Sequence, residues 1–157
     1  MSLEGTKAPA FSLEGSDGQT HTLAQYAGSG LILFFYPKDN TSGCTKEACN
    51  FSRLAEQFAH YGYTVLGVSK DSLASHQRFI TAHGLTTVLL SDPDTTMMQA
   101  YQAFGEKMLY GKPVTGTIRS TVVIGADGQI SRHWAKVAKA ETHPEQVLDY
   151  ITTISRS

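Results

Sequence analysis

Two cysteines separated by four residues are the part of this sequence most able to do chemistry. Cys44 and Cys49 are the only cysteines in the 157-residue chain. A thiolate is a strong nucleophile that can be oxidised to a sulfenic acid, and a second thiol can condense with that acid to form a disulfide. One bridge closing so short a loop cannot staple a domain of this size. The pair therefore indicates redox chemistry in a reducing compartment rather than a structural bond.

The position of Cys44 predicts an activated thiol. An apolar run over residues 31–36 indicates a buried strand, a polar loop follows, and Cys44 begins a helix predicted for Cys44–His60. In open α/β sheets ligand sites lie at the carboxyl ends of strands. The unpaired N–H groups and the dipole at a helix start both favour a thiolate over a thiol.

Cys49 lies too far along the same predicted helix to reach Cys44. On an ideal helix their Cα atoms are about 8.7 Å apart, whereas a disulfide needs less than about 7 Å. We therefore expect a helical reduced form and a disulfide form in which at least the first turn has unwound. Gly43 and the polar residues 40–42 make that unwinding less costly than a tightly packed apolar segment would.

The rest of the chain alternates between strand and helix patterns. This alternation predicts an α/β fold with a central mixed sheet, flanked by helices, in which the parallel strands are central. The predicted elements are an N-terminal β-hairpin (Phe11–Leu13 with Thr20–Leu23), strands over 31–36, 63–69 and 87–90, helices over 44–60, 72–83, from Asp94 or Thr95 to about 104, and 144–154, and a second hairpin (118–124 with 130–134) turning at Asp127-Gly128.

Length and composition exclude several classes of protein. The chain, residues 1–157, fits one domain, and its net charge of −1 gives no field that attracts nucleic acid or an anionic membrane. No apolar run approaches the length of a membrane span, and the N-terminus lacks an export pattern, so we expect a cytoplasmic protein. The six histidines show no metal-ligand spacing and the glycines form no phosphate loop, so neither a metal nor a cofactor is expected.

Three segments resemble one known family. The pattern Pro37-x-x-x-Thr41-x-x-Cys44 resembles the active-site motif of peroxiredoxins. The added Cys49, the stretch from Gly116 to Ile130 (GTIRSTVVI followed by Gly128 and Ile130) and the opening Lys7–Leu13 are similar to the bacterioferritin comigratory protein, or peroxiredoxin Q, subfamily. The resemblance spans about residues 7–154. The chain departs from it at Ser42, where the family usually has proline.

The resemblance implies a fold and a reaction. The fold would be thioredoxin-like, with Cys44 as the peroxidatic cysteine, Cys49 as the resolving cysteine, and Thr41, Pro37 and Arg119 around the peroxide. A monomer would reduce hydrogen peroxide and organic hydroperoxides in antioxidant defence. Thioredoxin, or alternatively glutaredoxin, would then reduce the Cys44–Cys49 disulfide. Arg119 suits this role because a fixed cation favours a thiolate and stabilises charge as an O–O bond breaks.

Other interpretations of the same residues stay open at this point. The chain could be a redox sensor without turnover, a general disulfide oxidoreductase, or a structural domain with inert thiols. The four-residue gap argues against the second, which usually has two residues between its cysteines. Thr41 could simply close a turn or cap the helix, and Arg119 taken alone would be a surface residue. Glu47 is expected to complement the helix dipole from the first turn.

Overall fold

A five-stranded mixed sheet forms the centre of the protein. The computed structural model describes residues 3–155. The strands are β1 (Ser12–Glu14), β2 (Thr20–Thr22), β3 (Gly30–Phe35), β4 (Tyr63–Ser69), β5 (Val88–Ser91), β6 (Phe104–Leu109), β7 (Lys112–Thr117), β8 (Ser120–Ile124) and β9 (Ile130–Trp134). The α-helices are α1 (Ser42–Arg53), α2 (Ala55–His60), α3 (Leu73–His83), α4 (Thr96–Ala100) and α5 (His143–Ile154), and a short 3₁₀ helix covers Leu23–Tyr26.

The central sheet has the strand order β5-β4-β3-β8-β9. Strands β3, β4 and β5 run parallel, while β8 is antiparallel to both β3 and β9. The predicted mixed sheet and the N-terminal hairpin β1–β2 are confirmed. The expectation that the parallel strands are central is correct only for β3 and β4. Because the β8–β9 hairpin adds to the free side of β3, the parallel strands fill one half of the sheet and β5 lies at its edge.

Both edges of this sheet are partly covered by the N-terminal segment. Beside β5, the Ser16 N–H donates to the Leu89 carbonyl at 2.8 Å. Beside β9, the Gly5 N–H donates to the Ile130 carbonyl, and the Ile130 N–H donates to the Thr6 carbonyl, each at 2.8 Å. Backbone groups that an edge strand normally leaves free are therefore already bonded within the chain.

The strand β3 separates two apolar layers. Its residues are buried throughout, and alternate side chains enter opposite layers because the side-chain period of a strand is two. The layer that contains Ile32 and Phe34 also holds Cys44 and Phe51 of α1. The rings of Phe34 and Phe51 stack with centroids 4.5 Å apart, which fixes α1 against the sheet. No helix among residues 3–155 is both long and apolar enough to cross a membrane.

Three predicted elements differ from the structure. The helix predicted for residues 44–60 is divided at Leu54, whose backbone (φ −96°, ψ 1°) separates α1 from α2. The helix expected to reach residue 104 ends at Ala100, and Gln102 then takes a left-handed conformation (φ 58°). Residues 104–117 instead form the hairpin β6–β7, which the sequence analysis did not predict. The following strand begins at Ser120 rather than at Ile118.

Candidate active site

The start of α1 presents Cys44. Thr41 precedes the helix in an extended conformation (φ −90°, ψ 155°), and its carbonyl accepts the Thr45 N–H at 2.8 Å. Cys44 is the third residue of the helix, so its N–H and the two before it belong to the first turn, where helical N–H groups lack helical acceptors. The first-turn position expected from the sequence is therefore the position in the structure.

Arg119 contacts the sulfur directly. Its Nη2 lies 3.2 Å from Cys44 Sγ, within hydrogen-bond distance. Arg119 occupies the short link between β7 and β8, and its carbonyl accepts the Val137 N–H at 2.8 Å, which fixes the backbone there. Gly43 gives the guanidinium room, since a Cβ at that position would lie 3.3 Å from Nη2. A helix start and a fixed cation thus converge on one sulfur, and both favour its anionic form.

Glu47 holds the other side of the guanidinium. Arg119 Nη1 donates to Glu47 Oε1 at 2.7 Å, and the Glu47 side chain is fully buried. Its second oxygen, Oε2, has no hydrogen-bond partner among the described residues. Burial raises the pKa of Glu47 to about 7, against the lowering effect of Arg119. The expectation for Glu47 is wrong: it lies in the second turn, inside the protein, because the arginine reaches it from another element.

Pro37 and Thr41 are placed differently from one another. Pro37 is half-buried and borders an open cleft of about 580 Å³, together with Ile118 and Arg119. Thr41 is exposed, and its hydroxyl donates to the Lys38 carbonyl at 2.8 Å, which closes the turn before the helix. Its side chain makes no cap to the helix. The structure therefore shows Thr41 as a turn residue and brings only Pro37 and Arg119 to the cleft.

The two thiols are free and belong to the same helix. Cys44 is 1% exposed and Cys49 is half-buried against the apolar layer that contains Cys44. Because α1 is continuous from Ser42 to Arg53, the separation expected for an intact helix applies, and the sulfurs cannot bond without unwinding. No cluster of histidine, cysteine and acidic side chains that could hold a metal ion occurs within residues 3–155.

A second buried network lies in the loop between β3 and α1. Asp39 accepts hydrogen bonds from the Tyr36 hydroxyl (2.6 Å) and the Ser75 hydroxyl (2.8 Å), and His76 Nδ1 lies 2.7 Å from its Oδ2. The other ring nitrogen of His76 lies 3.0 Å from the Leu90 carbonyl. The His76 ring is fully buried and both of its nitrogens face oxygen atoms, so it links Asp39 to β5. No sequence signal indicates this pair, since Asp39 and His76 are 37 residues apart and no motif links them.

Comparison with known proteins identifies the family. The family model described as AhpC/TSA family matches residues 5–133. The chain belongs to this family. It is 38% identical over 156 residues to peroxiredoxin Bcp of Bacillus subtilis, covering 99% of both chains. It is 41% identical over 133 residues to peroxiredoxin Bcp of Xanthomonas campestris, covering 85% of this chain and 82% of the relative. The chain is thus a peroxiredoxin, an enzyme that reduces peroxides with a thiol, and the predicted resemblance is confirmed.

Solved structures of this subfamily share the fold. Peroxiredoxin Q of Xanthomonas campestris superposes with a TM-score of 0.86 at 39% identity, covering 92% of this chain and 91% of the other. A trapped intermediate/ligand complex of the bacterioferritin comigratory protein from the same organism, described for its alkyl peroxide reduction activity, gives 0.86 at 38% identity and covers 92% of both chains. The predicted thioredoxin-like peroxiredoxin fold is therefore confirmed.

Proposed function

We propose that this peroxiredoxin reduces hydrogen peroxide and organic hydroperoxides with Cys44 as the peroxidatic thiol and Cys49 as the resolving thiol. The observation that carries the proposal is the 3.2 Å contact between Arg119 Nη2 and Cys44 Sγ at the start of α1. A thiol placed there by chance would need no cation held beside it. The whole chain, residues 1–157, acts in this proposal as a single domain.

In the first step the Cys44 thiolate attacks one oxygen of the hydroperoxide. An S–O bond forms as the O–O bond breaks, and the sulfur loses two electrons to become a sulfenic acid. The other oxygen leaves as an alkoxide or hydroxide and takes a proton from water. Arg119 stabilises the negative charge that develops on both oxygens, an effect strongest in a site shielded from water. Pro37 limits water around the sulfur, and Thr41 holds the turn that sets the position of Cys44.

The substrate reaches Cys44 from the side of Pro37 and Arg119. The sulfur itself is buried and does not border the cleft, but Arg119, which contacts the sulfur, forms part of the cleft wall. A small peroxide in the cleft would therefore lie against the residue that contacts the sulfur. A hydroperoxide with an apolar group would leave that group in the cleft, where Ile118, Met108 and Val137 also contribute to the wall.

In the second step the start of α1 unwinds and the Cys49 thiol attacks the sulfenic acid. A disulfide forms, and the hydroxyl group leaves as water with the proton of the attacking thiol. Phe51 sets the limit of the unwinding because its stacked ring is fully buried against Phe34. Unwinding also releases Glu47, whose burial with one unpartnered oxygen makes the helical form less stable than a fully bonded one.

An external dithiol completes the cycle. It reduces the Cys44–Cys49 disulfide by thiol–disulfide exchange, after which α1 can re-form. We propose thioredoxin as this dithiol, with glutaredoxin as the alternative, and a monomeric enzyme in the cytoplasm. An intramolecular disulfide needs no second copy of the chain, and the electrons pass only through sulfur, so no cofactor takes part.

NADPH-coupled peroxide consumption with thioredoxin and its reductase tests the proposal. The wild type should turn over hydrogen peroxide and an alkyl hydroperoxide, and Cys44→Ser should not. Cys49→Ser should be oxidised once, rapidly, and then turn over poorly. Mass spectrometry of the wild type treated with one equivalent of peroxide should find the Cys44–Cys49 peptide pair joined.

The outcomes separate this enzyme from its rivals. One round of oxidation by the wild type without turnover, under the same conditions, would indicate a sensor instead. Slow alkylation of Cys44 at neutral pH, as slow as that of Cys49, would indicate inert thiols. Equal turnover by wild type and Cys49→Ser would remove Cys49 from the cycle and leave Cys44 to be resolved by the external thiol.

A further inference from the structure

A lysine on the β6–β7 hairpin lies beside the thiol site. Lys107 borders the same cleft as Pro37 and Arg119, although it belongs to an element that the sequence did not predict. Its Nζ donates to the Thr117 carbonyl at 2.6 Å, two residues before Arg119. The ammonium is therefore held at a defined position next to the arginine rather than extended into water.

The absence of a long side chain at Gly116 leaves room for the Lys107 side chain to reach Thr117. Lys107 pairs with Val114 across the hairpin, so the lysine side chain must cross the neighbouring position, Gly116, to reach Thr117. A Cβ on Gly116 would lie 3.5 Å from Lys107 Cε, which is ordinary contact, whereas a longer side chain would occupy the path of the lysine. Gly105, opposite Gly116, is open in the same way, and only Ile118 Cδ1 would come within 4 Å of a Cβ there.

The charges around Lys107 are mostly positive. Burial lowers the pKa of Lys107, and Arg119 and Lys70 lower it further, while Cys44 raises it. Lys136, after β9, and Glu106, on the same hairpin, also border the cleft. An ammonium held against two other cations and partly removed from water is costly to keep, and a negative charge on the sulfur of Cys44 would offset part of that cost.

We propose that Lys107 is a second cation of the thiol site, which acts with Arg119 to favour the Cys44 thiolate and to stabilise the oxygen that leaves during peroxide reduction. Arg119 contacts the sulfur, and Lys107 faces the cleft through which the substrate must approach. Negative charge moves from the sulfur to the departing oxygen as the S–O bond forms and the O–O bond breaks. Arg119 would stabilise it at the sulfur, and Lys107 would stabilise it on the side of the cleft. Lys107 is a positioning and electrostatic residue, and it exchanges no proton in the reaction.

This inference rests on the proposed peroxidase activity, so its test includes a readout that needs no peroxide. In a Cys49→Ser background, alkylation of Cys44 by neutral iodoacetamide is measured from pH 4 to 9, and the rate of the first oxidation by peroxide is measured by stopped flow. Lys107→Met should slow the peroxide reaction about three- to tenfold, the range for a partly screened charge, and move the alkylation curve to higher pH. Lys107→Arg should restore both to within about twofold, because it keeps the cation.

Lys112→Met is the matched control. It removes the same charge from the same hairpin, but Lys112 is exposed and does not border the cleft, so both readouts should stay within about twofold of the parent. Gly116→Leu is a second test, because it displaces the lysine while keeping its charge and should change both readouts in the same direction as Lys107→Met. Near 1 M salt the difference between Lys107→Met and the parent should shrink, since the screening length falls to about 3 Å.

Three results would overturn the inference. If Lys107→Met and Lys112→Met behave alike, the position of the charge has no importance. If Lys107→Arg is as slow as Lys107→Met, or the difference persists unchanged at high salt, the lysine acts through packing and not through charge. Failure of the proposed enzyme is distinguishable, because a parent protein that consumes no peroxide would still show whether Lys107 alters Cys44 alkylation.

Discussion

Two buried carboxylates, Asp39 in the loop before α1 and Glu47 within α1, are each paired with a basic side chain, and their pKa values move in opposite directions. Burial alone would raise the pKa of Asp39, but hydrogen bonds from His76, Tyr36 and Ser75 outweigh it, and the pKa is lowered. Burial of Glu47 prevails over its single bond to Arg119, and its pKa rises to about 7. The fold thus favours the ionised carboxylate at Asp39 and the protonated carboxyl group at Glu47.

The difference lies in how completely each carboxylate is bonded. Both oxygens of Asp39 accept hydrogen bonds, so its ionised form is fully compensated and the network holds the loop to α3 and β5. Glu47 leaves one oxygen unpartnered, which costs stability but frees part of the guanidinium of Arg119 for Cys44. The Asp39–His76 pair therefore stabilises the fold. The Glu47–Arg119 pair lowers stability but positions a cation at the sulfur.

The largest effect on the unfolding free energy is expected when the Asp39–His76 pair is broken. Asp39→Ala should lower the free energy of unfolding by about 3–5 kcal/mol, because it leaves the buried His76 ring and two neighbouring hydroxyl groups without their shared acceptor. Ser75→Ala, which removes one neutral donor to the same carboxylate, should cost only about 1 kcal/mol. Denaturant titration at pH 7 measures both. Equal, small losses would show that Asp39 is not the centre of the network.

Arg119→Met should affect activity more than stability. We expect the rate of the first oxidation of Cys44 to fall about 100- to 1000-fold, the usual effect of removing one donor that stabilises a developing oxyanion. Stopped-flow oxidation of the Cys49→Ser form isolates this step from the disulfide. The unfolding free energy should fall by no more than about 1.5–3 kcal/mol, the value of one hydrogen bond between charged groups, since Glu47 can then stay protonated in the fold. A large loss of stability with little loss of rate would reverse the roles assigned to the two pairs.

The pH dependence of stability should distinguish the two carboxylates. The pKa of Glu47 is raised from 4.5 to about 7 by folding, so the unfolded chain releases its proton first. The unfavourable contribution of Glu47 is therefore absent below pH 4.5, grows as the pH rises, and is complete above about pH 7. Glu47→Gln should remove this slope. The difference between wild type and variant, measured by denaturant titration from pH 4.5 to 8, isolates it from other groups.

Asp39 should affect the unfolding free energy only at acidic pH. Because its pKa in the fold lies below the ordinary 3.8, its favourable contribution is present above that pH and is lost as the pH falls through the lower value. Glu47→Gln should leave this acid limb unchanged. If the Gln variant alters stability equally at all pH values, the raised pKa of Glu47 is wrong.

The smallest effect is expected at Ser42, which lies between the two regions as the first residue of α1. Ser42→Pro suits this position, because proline is tolerated at a first helical residue and Thr41 already has an extended backbone. It should raise stability by about 0.4–1 kcal/mol and slow formation of the Cys44–Cys49 disulfide by a similar free energy. Ser42→Ala is the control. Faster disulfide formation in the proline variant would argue that the first turn need not unwind.

The main sheet and the positions of the cysteines could be predicted from sequence because they depend on local signals. Continuous apolar runs mark β3 and β4, and Gly62 and Gly84 follow the helices that they end. The β6–β7 hairpin could not be predicted in this way. Its strands contain glycines and a proline, which are unfavourable in strand interiors. Its turn places Tyr110 at φ 52°, a left-handed conformation that tyrosine rarely adopts.

The contacts of the site depend on residues that are distant in the sequence. The chemistry of Cys44 could be inferred from its loop and helix, and the family resemblance added Arg119. Burial of Glu47 follows only once Arg119 is known to cross from the β7–β8 link, 72 positions away. Neither periodicity nor a motif connects those positions, so the sequence alone predicts only that Glu47 complements the helix dipole from the first turn.

The hydrogen bonds between the N-terminal segment and the two edges of the central sheet affect how easily copies of the protein could aggregate. If α1 unwinds in each catalytic cycle, as proposed, apolar core residues become exposed, and copies in that state would aggregate if the edge strands of their sheets were free to pair. Here the Gly5–Thr6 and Ser16 contacts occupy part of both rims of the sheet, at elements away from the segment that loosens. Unwinding of α1 would therefore leave these edge contacts in place, and they would hinder strand pairing between copies.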